Sequence, residues 1–324
     1  MTKKRSIKKI ILVIFLCVII LLTGGWWAFC VNIYNENFNQ RFETYEPYMF
    51  HVDDFNGLQR KEYRFPSDKG QMLAGYLYSA GEEPRGIVVL AHGFGAGHNS
   101  YMDAANYFAQ HGYYVFAYDA TGNDESEGDG VGGIPQGVID LDYAISFIED
   151  SGQFPDLPIC LFGHSWGGYS VCSVLTYHPE VKAVIECSGC NRSSDLFEAV
   201  GKDQAGDVIY TMMPFIKIHE RIKYGKYAVN TALDGFAASE AAVMIVHSAD
   251  DDVVPIEYGY DKFYGKYKDD PRFTFVRYED KGHNDILNDS KVTNADELNA
   301  EFGSRLDEAM FDRFISFFDE QIYS

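Results

Sequence analysis

The chain has 324 residues, of which 46% are hydrophobic and 15% aromatic, and it carries 48 acidic against 27 basic side chains. This length and apolar content suffice for a sizeable hydrophobic core and exclude disorder over most of the chain. The net charge of −21 argues against nucleic acid as a partner, because a protein that binds nucleic acid must neutralise phosphates with Lys and Arg.

The N-terminus predicts a single membrane-spanning segment. Residues 1–9 include five basic side chains and no acid, and residues 10–31 carry no charge. As a helix, residues 10–31 would rise about 33 Å, enough to cross the hydrocarbon core of a bilayer. The basic residues predict that 1–9 stay cytoplasmic and that 10–31 act as a signal-anchor in the cell membrane, with the rest of the chain on the outer side. The alternative is a cleaved signal peptide and a secreted protein.

The remaining chain predicts a stalk over residues 32–58 and one α/β domain over residues 59–324. Residues 61–65 and 72–78 predict an antiparallel pair of strands around a turn at 67–70. Further strands are predicted at residues 86–91, 113–118, 157–162, 181–186, 242–247 and 273–278. Apolar residues at helical spacing predict helices at residues 101–111, 135–149 and 166–177, and a last one around Phe311 and Phe318. This alternation predicts a mostly parallel sheet with helices on both faces.

Residues 189–241 interrupt the alternation, because they contain helical patches and no clear strand. An insertion of this size predicts a helical cap beside the sheet. Within it, Met212, Met213 and Phe215 suit the lining of an apolar substrate pocket, with Tyr169 as a further candidate. The alternative is ordinary packing of these helices on the sheet.

A G-x-S-x-G sequence at residues 163–167 lies between a predicted strand and a predicted helix. In that context the serine lies on a tight, strained turn, which presents its hydroxyl at the carboxyl edge of the sheet. Ser165 is therefore the candidate nucleophile.

A serine hydroxyl needs a base and a group that orients the base. The loop after the strand at residues 242–247 holds three consecutive acids, Asp250, Asp251 and Asp252, and a turn after the last strand presents His283. Nucleophile, acid and histidine thus follow one another in the order expected for this architecture.

Acyl transfer also needs donors for an oxyanion. The backbone N–H of Trp166, directly after the candidate nucleophile, is one candidate donor. The loop after residues 86–91 reads His-Gly-Phe-Gly, and its glycines predict that the Phe94 N–H is the other. This chemistry requires no metal and no cofactor.

Together these motifs resemble the α/β-hydrolase superfamily: HGFG at 92–95, GHSWGG at 163–168, HSADDDVVP at 247–255 and GH at 282–283. Residues 119–128 resemble a D-x-x-G-x-G-x-S-x-G sequence of its monoacylglycerol-lipase and serine-aminopeptidase-like branch, except that Asp124 stands where that branch has glycine. The resemblance covers about residues 60–320. It implies that Asp251, four positions after His247, is the acid, and that the reaction is hydrolysis of an ester or, less often, an amide or thioester.

Three functions remain open from the sequence. The first is a membrane-anchored serine hydrolase that cleaves carboxylic esters with an apolar acyl part. The second is an aminopeptidase or amidase on the same triad, acting on short acyl or peptide substrates, with Glu186, Asp195 or Glu198 binding the amine. The third is a non-catalytic binding protein.

Two further patterns are interpreted as structural. Gly128, Gly130 and Gly133 spell G-x-G-x-x-G but follow an acidic loop rather than the strand that a dinucleotide site requires. Cys187 and Cys190 form a single C-x-x-C without the second pair that a zinc site needs. Buried, unreactive thiols are the favoured interpretation.

Overall fold

The structure is a computed structural model that describes residues 2–46, 49–81, 83–289 and 306–323, with side chains described from residue 7 onward. The side chains of Lys3, Lys4 and Arg5, which belong to the basic segment predicted to stay cytoplasmic, therefore lie outside the described residues. An eight-stranded sheet forms its centre. Its strands are β1 (Gln59–Pro66), β2 (Met72–Ser79), β3 (Ile87–Ala91), β4 (Tyr114–Tyr118), β5 (Ile159–His164), β6 (Ala183–Cys187), β7 (Ala242–Ser248) and β8 (Phe273–Tyr278).

The strands lie in the order β1-β2-β4-β3-β5-β6-β7-β8. Strand β2 runs antiparallel to both of its neighbours, and all other neighbouring pairs are parallel. The predicted, mostly parallel sheet is therefore confirmed. Every residue of β3, β5, β6 and β7 is buried, as expected for strands that are covered on both faces.

Helices cover the two faces of the sheet and form two separate apolar cores. The described helices are α1 (Thr2–Phe38), α2 (Met102–Gln110), α3 (Gln136–Asp150), α4 (Trp166–Ser173), α5 (Ser193–Ala205), α6 (Ile209–Tyr224), α7 (Lys226–Val229), α8 (Ala232–Ala238), α9 (Tyr260–Tyr267) and α10 (Glu308–Ile322). The helix expected at 166–177 ends at Ser173 and continues as a 3₁₀ turn. The segment at 189–241 is helical, as predicted, and consists of α5 to α8.

The N-terminal helix α1 extends seven residues beyond the predicted end of the membrane segment. Among the described residues, 7–38 form the one helix that is long and apolar enough to cross a membrane. Its large apolar side chains between Ile7 and Leu22 are exposed, whereas its last turns pack against α6.

Specific side-chain contacts attach the end of α1 to the insertion. The Trp26 indole N–H donates to the Thr211 carbonyl at 3.4 Å. The Tyr34 hydroxyl donates to Glu220 at 2.6 Å, and Ser193 donates to the other oxygen of that carboxylate at 2.7 Å. Burial raises the pKa of Glu220 to about 7. The first part of the segment expected to be a stalk therefore lies against the domain.

Candidate active site

The turn at Ser165 has the backbone geometry that the G-x-S-x-G motif predicts. Ser165 has φ 58° and ψ −117°, a conformation that L residues rarely adopt. The two glycines are needed because a Cβ on Gly163 would collide with the Gly167 carbonyl, and a Cβ on Gly167 would collide with the Ala91 carbonyl of β3. The turn thus connects β5 directly to α4 and places Ser165 at the N-terminus of that helix.

The structure brings the three predicted triad residues together. Ser165 follows β5, Asp251 follows β7 and His283 follows β8, all at the carboxyl edge of the parallel strands. The His283 Nε2 lies 2.9 Å from the Ser165 Oγ, and its Nδ1 lies 2.8 Å from the Asp251 Oδ2. All three side chains are more than nine-tenths buried. The arrangement can transfer a proton from the serine to the imidazole while the carboxylate fixes the ring.

Asp251 is held as an anion by four donors. The backbone N–H groups of Val253 and Val254 donate to its Oδ1, and His247 lies 3.3 Å from the same Oδ2 that contacts His283. Burial alone would raise the pKa of Asp251, but the hydrogen bonds from His247 and His283 keep it well below its usual range. The carboxylate is therefore charged across the whole range of pH in which proteins normally work.

His247 is a site residue whose role the sequence did not reveal, because it stands as the last residue of a predicted buried strand. Its Nε2 also lies 2.8 Å from the Val254 carbonyl, so this nitrogen carries a proton and donates. Burial lowers the pKa of His247, yet the hydrogen bond to Asp251 and the nearby Glu186 raise it overall. His247 thereby fixes Asp251 from the side opposite to His283.

The two predicted oxyanion donors belong to segments that border Ser165. A Cβ built on Gly93 would lie 3.6 Å from the Ser165 Cβ, so the loop after β3 borders the serine. Neither the Phe94 nor the Trp166 backbone N–H donates to a protein acceptor within the described part of the chain. The Phe94 ring packs edge-to-face on the Trp166 ring, with a centroid distance of 5.4 Å. Both amides are thus available for an oxyanion.

A second hydrogen-bond chain, which the sequence did not reveal, joins the oxyanion loop to His283. The Gly93 N–H donates to the Tyr101 hydroxyl at 3.1 Å, which lies 2.8 Å from the His164 Nδ1. The His164 Nε2 donates to the His283 carbonyl at 3.0 Å. Burial and the nearby His283 lower the pKa of His164 to about 3, so its ring is neutral and holds one fixed tautomer.

The predicted pocket residues lie in the apolar core beneath the insertion. Tyr169 is fully buried on α4, and Met212 and Met213 are buried on α6 in the same apolar cluster. Phe215 is half-buried and packs against that cluster. The cluster also contains Trp166 and Phe197, so these apolar side chains extend from the serine turn to the insertion.

Each of the three carboxylates considered as anchors for a substrate amine contacts another residue, but among the described residues the Glu186 Oε2 has no hydrogen-bond partner. Glu186 is buried and accepts the Gly189 N–H, and burial raises its pKa to about 7. Asp195 pairs with Lys262 at 3.2 Å. Glu198 accepts the Tyr258 hydroxyl at 3.2 Å.

Among the cysteines, Cys187 borders the serine turn, because its backbone carbonyl accepts the Ser165 N–H at 2.8 Å. Cys187 and Cys190 are buried, free thiols, and burial raises the pKa of each well above its usual range. Among the described residues, the possible ligand atoms of Glu149, His178 and Glu180 lie within 4.8 Å of one another. Burial lowers the pKa of His178, but hydrogen bonds to neighbouring carboxylates raise it overall. Its ring nitrogens lie 3.0 Å from Glu180 and 2.8 Å from Asp142, so hydrogen bonds account for the position of His178.

Comparison with known proteins gives a consistent result. The family model for serine aminopeptidase, S33, matches residues 82–224. A monoacylglycerol lipase of Mycolicibacterium smegmatis is 30% identical over 138 residues, which are 40% of this chain and 46% of that protein. The match therefore spans about half the length of that relative.

Solved structures share the fold over more of the chain. An esterase of Pyrococcus furiosus superposes with a TM-score of 0.60 at 15% identity, covering 88% of this chain and 97% of the esterase. An acylaminoacyl peptidase of Pyrococcus horikoshii superposes with a TM-score of 0.57 at 18% identity, covering 82% of this chain and 41% of the peptidase. The chain has the α/β-hydrolase fold, and it resembles the monoacylglycerol lipase and serine aminopeptidase branch of the α/β-hydrolase superfamily.

Proposed function

We propose that this protein is a membrane-anchored serine hydrolase that cleaves carboxylic esters through an acyl-enzyme. The observation that carries the proposal is the continuous hydrogen-bond series from Ser165 through His283 to Asp251, with two available backbone N–H groups beside the serine. Its resemblance to esterase, lipase and peptidase sequences and folds supports the same class of chemistry.

The mechanism follows from this geometry. His283 takes the proton of Ser165 as the serine oxygen attacks the acyl carbonyl, and it returns that proton to the leaving alcohol. Asp251 keeps the Nδ1 proton of His283 in place and stabilises the imidazolium that forms. The Phe94 and Trp166 N–H groups stabilise the oxyanion, an effect worth on the order of 3 kcal/mol per donor. Water, deprotonated by His283, then attacks the acyl-enzyme carbonyl and releases the acid and Ser165, without any cofactor.

The surroundings of the serine favour an ester over a peptide with a free N-terminus. An aminopeptidase needs a carboxylate to bind the substrate amine. Asp195 and Glu198 are engaged with Lys262 and Tyr258, and Glu186 is completely buried. The nearby apolar cluster, with Met212 and Met213, suits an apolar acyl group instead. Aminopeptidase or amidase activity is the second candidate, supported by the match to the serine aminopeptidase model.

Paired substrates separate the two candidates. We expect the detergent-solubilised protein to hydrolyse p-nitrophenyl esters at least about ten-fold faster, in kcat/KM, than aminoacyl p-nitroanilides. The reason is that a buried substrate amine without a hydrogen-bond partner costs about 1–3 kcal/mol. The measurement is release of p-nitrophenol and p-nitroaniline over a series of acyl chain lengths. Faster turnover of the anilides would overturn the ester assignment and favour the aminopeptidase.

We also propose that residues 10–31 anchor the protein in the cell membrane, with the domain on the outer side. The exposed apolar side chains of α1 support this proposal. We expect the full chain to remain in the membrane fraction after alkaline carbonate washing, and a variant without residues 1–24 to be released, because Trp26 is the first residue of α1 with a hydrogen bond to the domain. Release of the full chain would contradict the anchor and favour a cleaved signal.

A further inference from the structure

The segment that follows α1 is bound along the loop that follows β4. We refer to residues 38–44, which begin with the last residue of α1, as the strap. The Phe42 N–H donates to the Gly122 carbonyl at 2.9 Å, and the Asp124 N–H donates to the Phe42 carbonyl at 3.0 Å. The Val131 N–H donates to the Gln40 carbonyl at 3.1 Å. These backbone bonds fix the strap against the domain on both sides of Phe42.

Side chains strengthen this attachment. The Arg41 guanidinium donates to the Ser126 and Gly128 carbonyls, each at 3.0 Å. The Asp124 carboxylate accepts the Thr44 N–H at 2.6 Å and the Thr44 hydroxyl at 2.7 Å. Asp124 holds a left-handed φ of 37°, a conformation in which glycine costs less. The aspartate that departs from the related branch therefore binds the strap.

The glycine-rich loop after Asp124 is shaped by the same contact. A Cβ on Gly130 would collide with the Asn39 carbonyl, and a Cβ on Gly122 would collide with the backbone of Gly130. The Gly132 N–H donates to the Asn39 side-chain oxygen at 2.7 Å. Gly122 and Gly130 are therefore needed because neighbouring backbone lies too close to leave room for a Cβ.

The strap presents two aromatic rings to the oxyanion loop. The Phe42 ring lies edge-to-face on the Phe94 ring at 5.1 Å, and the Phe38 ring lies edge-to-face on it at 5.4 Å. A third edge-to-face contact joins Phe94 to Trp166 at 5.4 Å. The half-buried Phe94 ring is therefore packed between the strap and the turn that carries Ser165.

We propose that Phe38 and Phe42 are positioning residues for the oxyanion hole. By holding the Phe94 ring against Trp166, they hold the Phe94 backbone N–H where the substrate oxyanion develops. Tyr101 and His164 fix the preceding residue, Gly93, from the other side. This inference rests on the proposed function and adds to it that the strap after the membrane helix completes the catalytic centre.

The test uses the full chain in detergent and compares Phe42→Ala with Phe42→Tyr. We expect Phe42→Ala to lower kcat for p-nitrophenyl butyrate about 10- to 100-fold with KM changed less than about three-fold, because a misplaced donor stabilises the transition state poorly. Inhibition by an alkyl trifluoromethyl ketone, whose hemiketal oxyanion needs the same donors, should weaken in parallel. Phe42→Tyr keeps the ring and should restore both values.

Two further variants keep the test decisive. Asp124→Gly removes the contacts with Thr44 at a position where glycine is unstrained, and we expect the same kinetic changes to a smaller extent. Phe154→Ala is the matched control, because Phe154 is also a half-buried ring in an aromatic cluster, beside Tyr63 and Phe116. It should change the melting temperature and leave kcat unaltered.

The outcomes distinguish the two proposals. Unchanged kcat and ketone inhibition in Phe42→Ala and Asp124→Gly would overturn the positioning role, as would a change confined to KM or to melting temperature. If Phe42→Ala does not fold, Asp124→Gly alone decides. If the wild-type protein neither hydrolyses the ester nor binds the ketone, the proposed function fails and the positioning role fails with it.

Discussion

Replacing Ser165 with alanine is expected to lower ester turnover by at least about 10⁴-fold, the scale on which loss of a triad nucleophile acts in other serine hydrolases. The substitution removes the hydroxyl that lies 2.9 Å from the His283 Nε2, so no acyl-enzyme can form. Covalent labelling by a fluorophosphonate probe should disappear. The fold should remain, because alanine occupies the same backbone conformation at no greater steric cost.

The matched control for this experiment is Ser173→Ala. Ser173 is a buried serine on the same helix, α4, and its replacement should leave labelling at the wild-type rate. Melting curves of both variants verify that the domain is folded. Labelling that persists in Ser165→Ala would refute the nucleophile. Wild-type protein that is folded, unlabelled and inactive on every ester and anilide would instead favour the non-catalytic binding protein.

Asp251→Asn is expected to lower kcat by about 10³- to 10⁴-fold while Ser165 remains present. The asparagine carbonyl can still accept the Val253 and Val254 N–H groups. Its NH₂ group then faces His247 and His283, both of which donate to the carboxylate in the native protein. Two donors oppose each other, so His283 turns or adopts the wrong tautomer, in which Nε2 cannot accept the serine proton.

The neighbouring acids provide the comparison for that variant. Asp252 is exposed, and Asp252→Asn should retain kcat within about two-fold, as is usual for surface substitutions. Asp250 accepts the Ser248 hydroxyl and the Gly282 N–H, each at 2.7 Å, so its replacement should affect the loop before His283 and the melting temperature. Full activity in Asp251→Asn, combined with loss of activity in Asp252→Asn, would show that the acid was misassigned.

Much of the fold could be predicted because its signals are local. Buried parallel strands are continuous apolar runs, and β3, β5 and β7 fall within a few residues of their predicted bounds. The turn at Ser165 was predictable for the same reason, since Gly163 and Gly167 satisfy a steric requirement that the motif itself records. The convergence of Ser165, His283 and the acidic loop at 250–252 followed from a rule of topology, that parallel strands end at one edge of the sheet. The choice of Asp251 within that loop followed from the family resemblance.

The sequence by itself determined the apolar N-terminal helix, the order of strands and helices along the chain, and the serine, acidic loop and histidine that meet at the carboxyl edge of the sheet. Only the tertiary structure decided what surrounds them: His247 behind Asp251, His164 and Tyr101 between His283 and Gly93, and the strap against Phe94. The physical reason is that these contacts join side chains distant in sequence, whose partners depend on how the loops pack. The strap shows this most clearly, since polar and aromatic residues that read as a stalk find their hydrogen-bond partners only in a loop about 80 residues away.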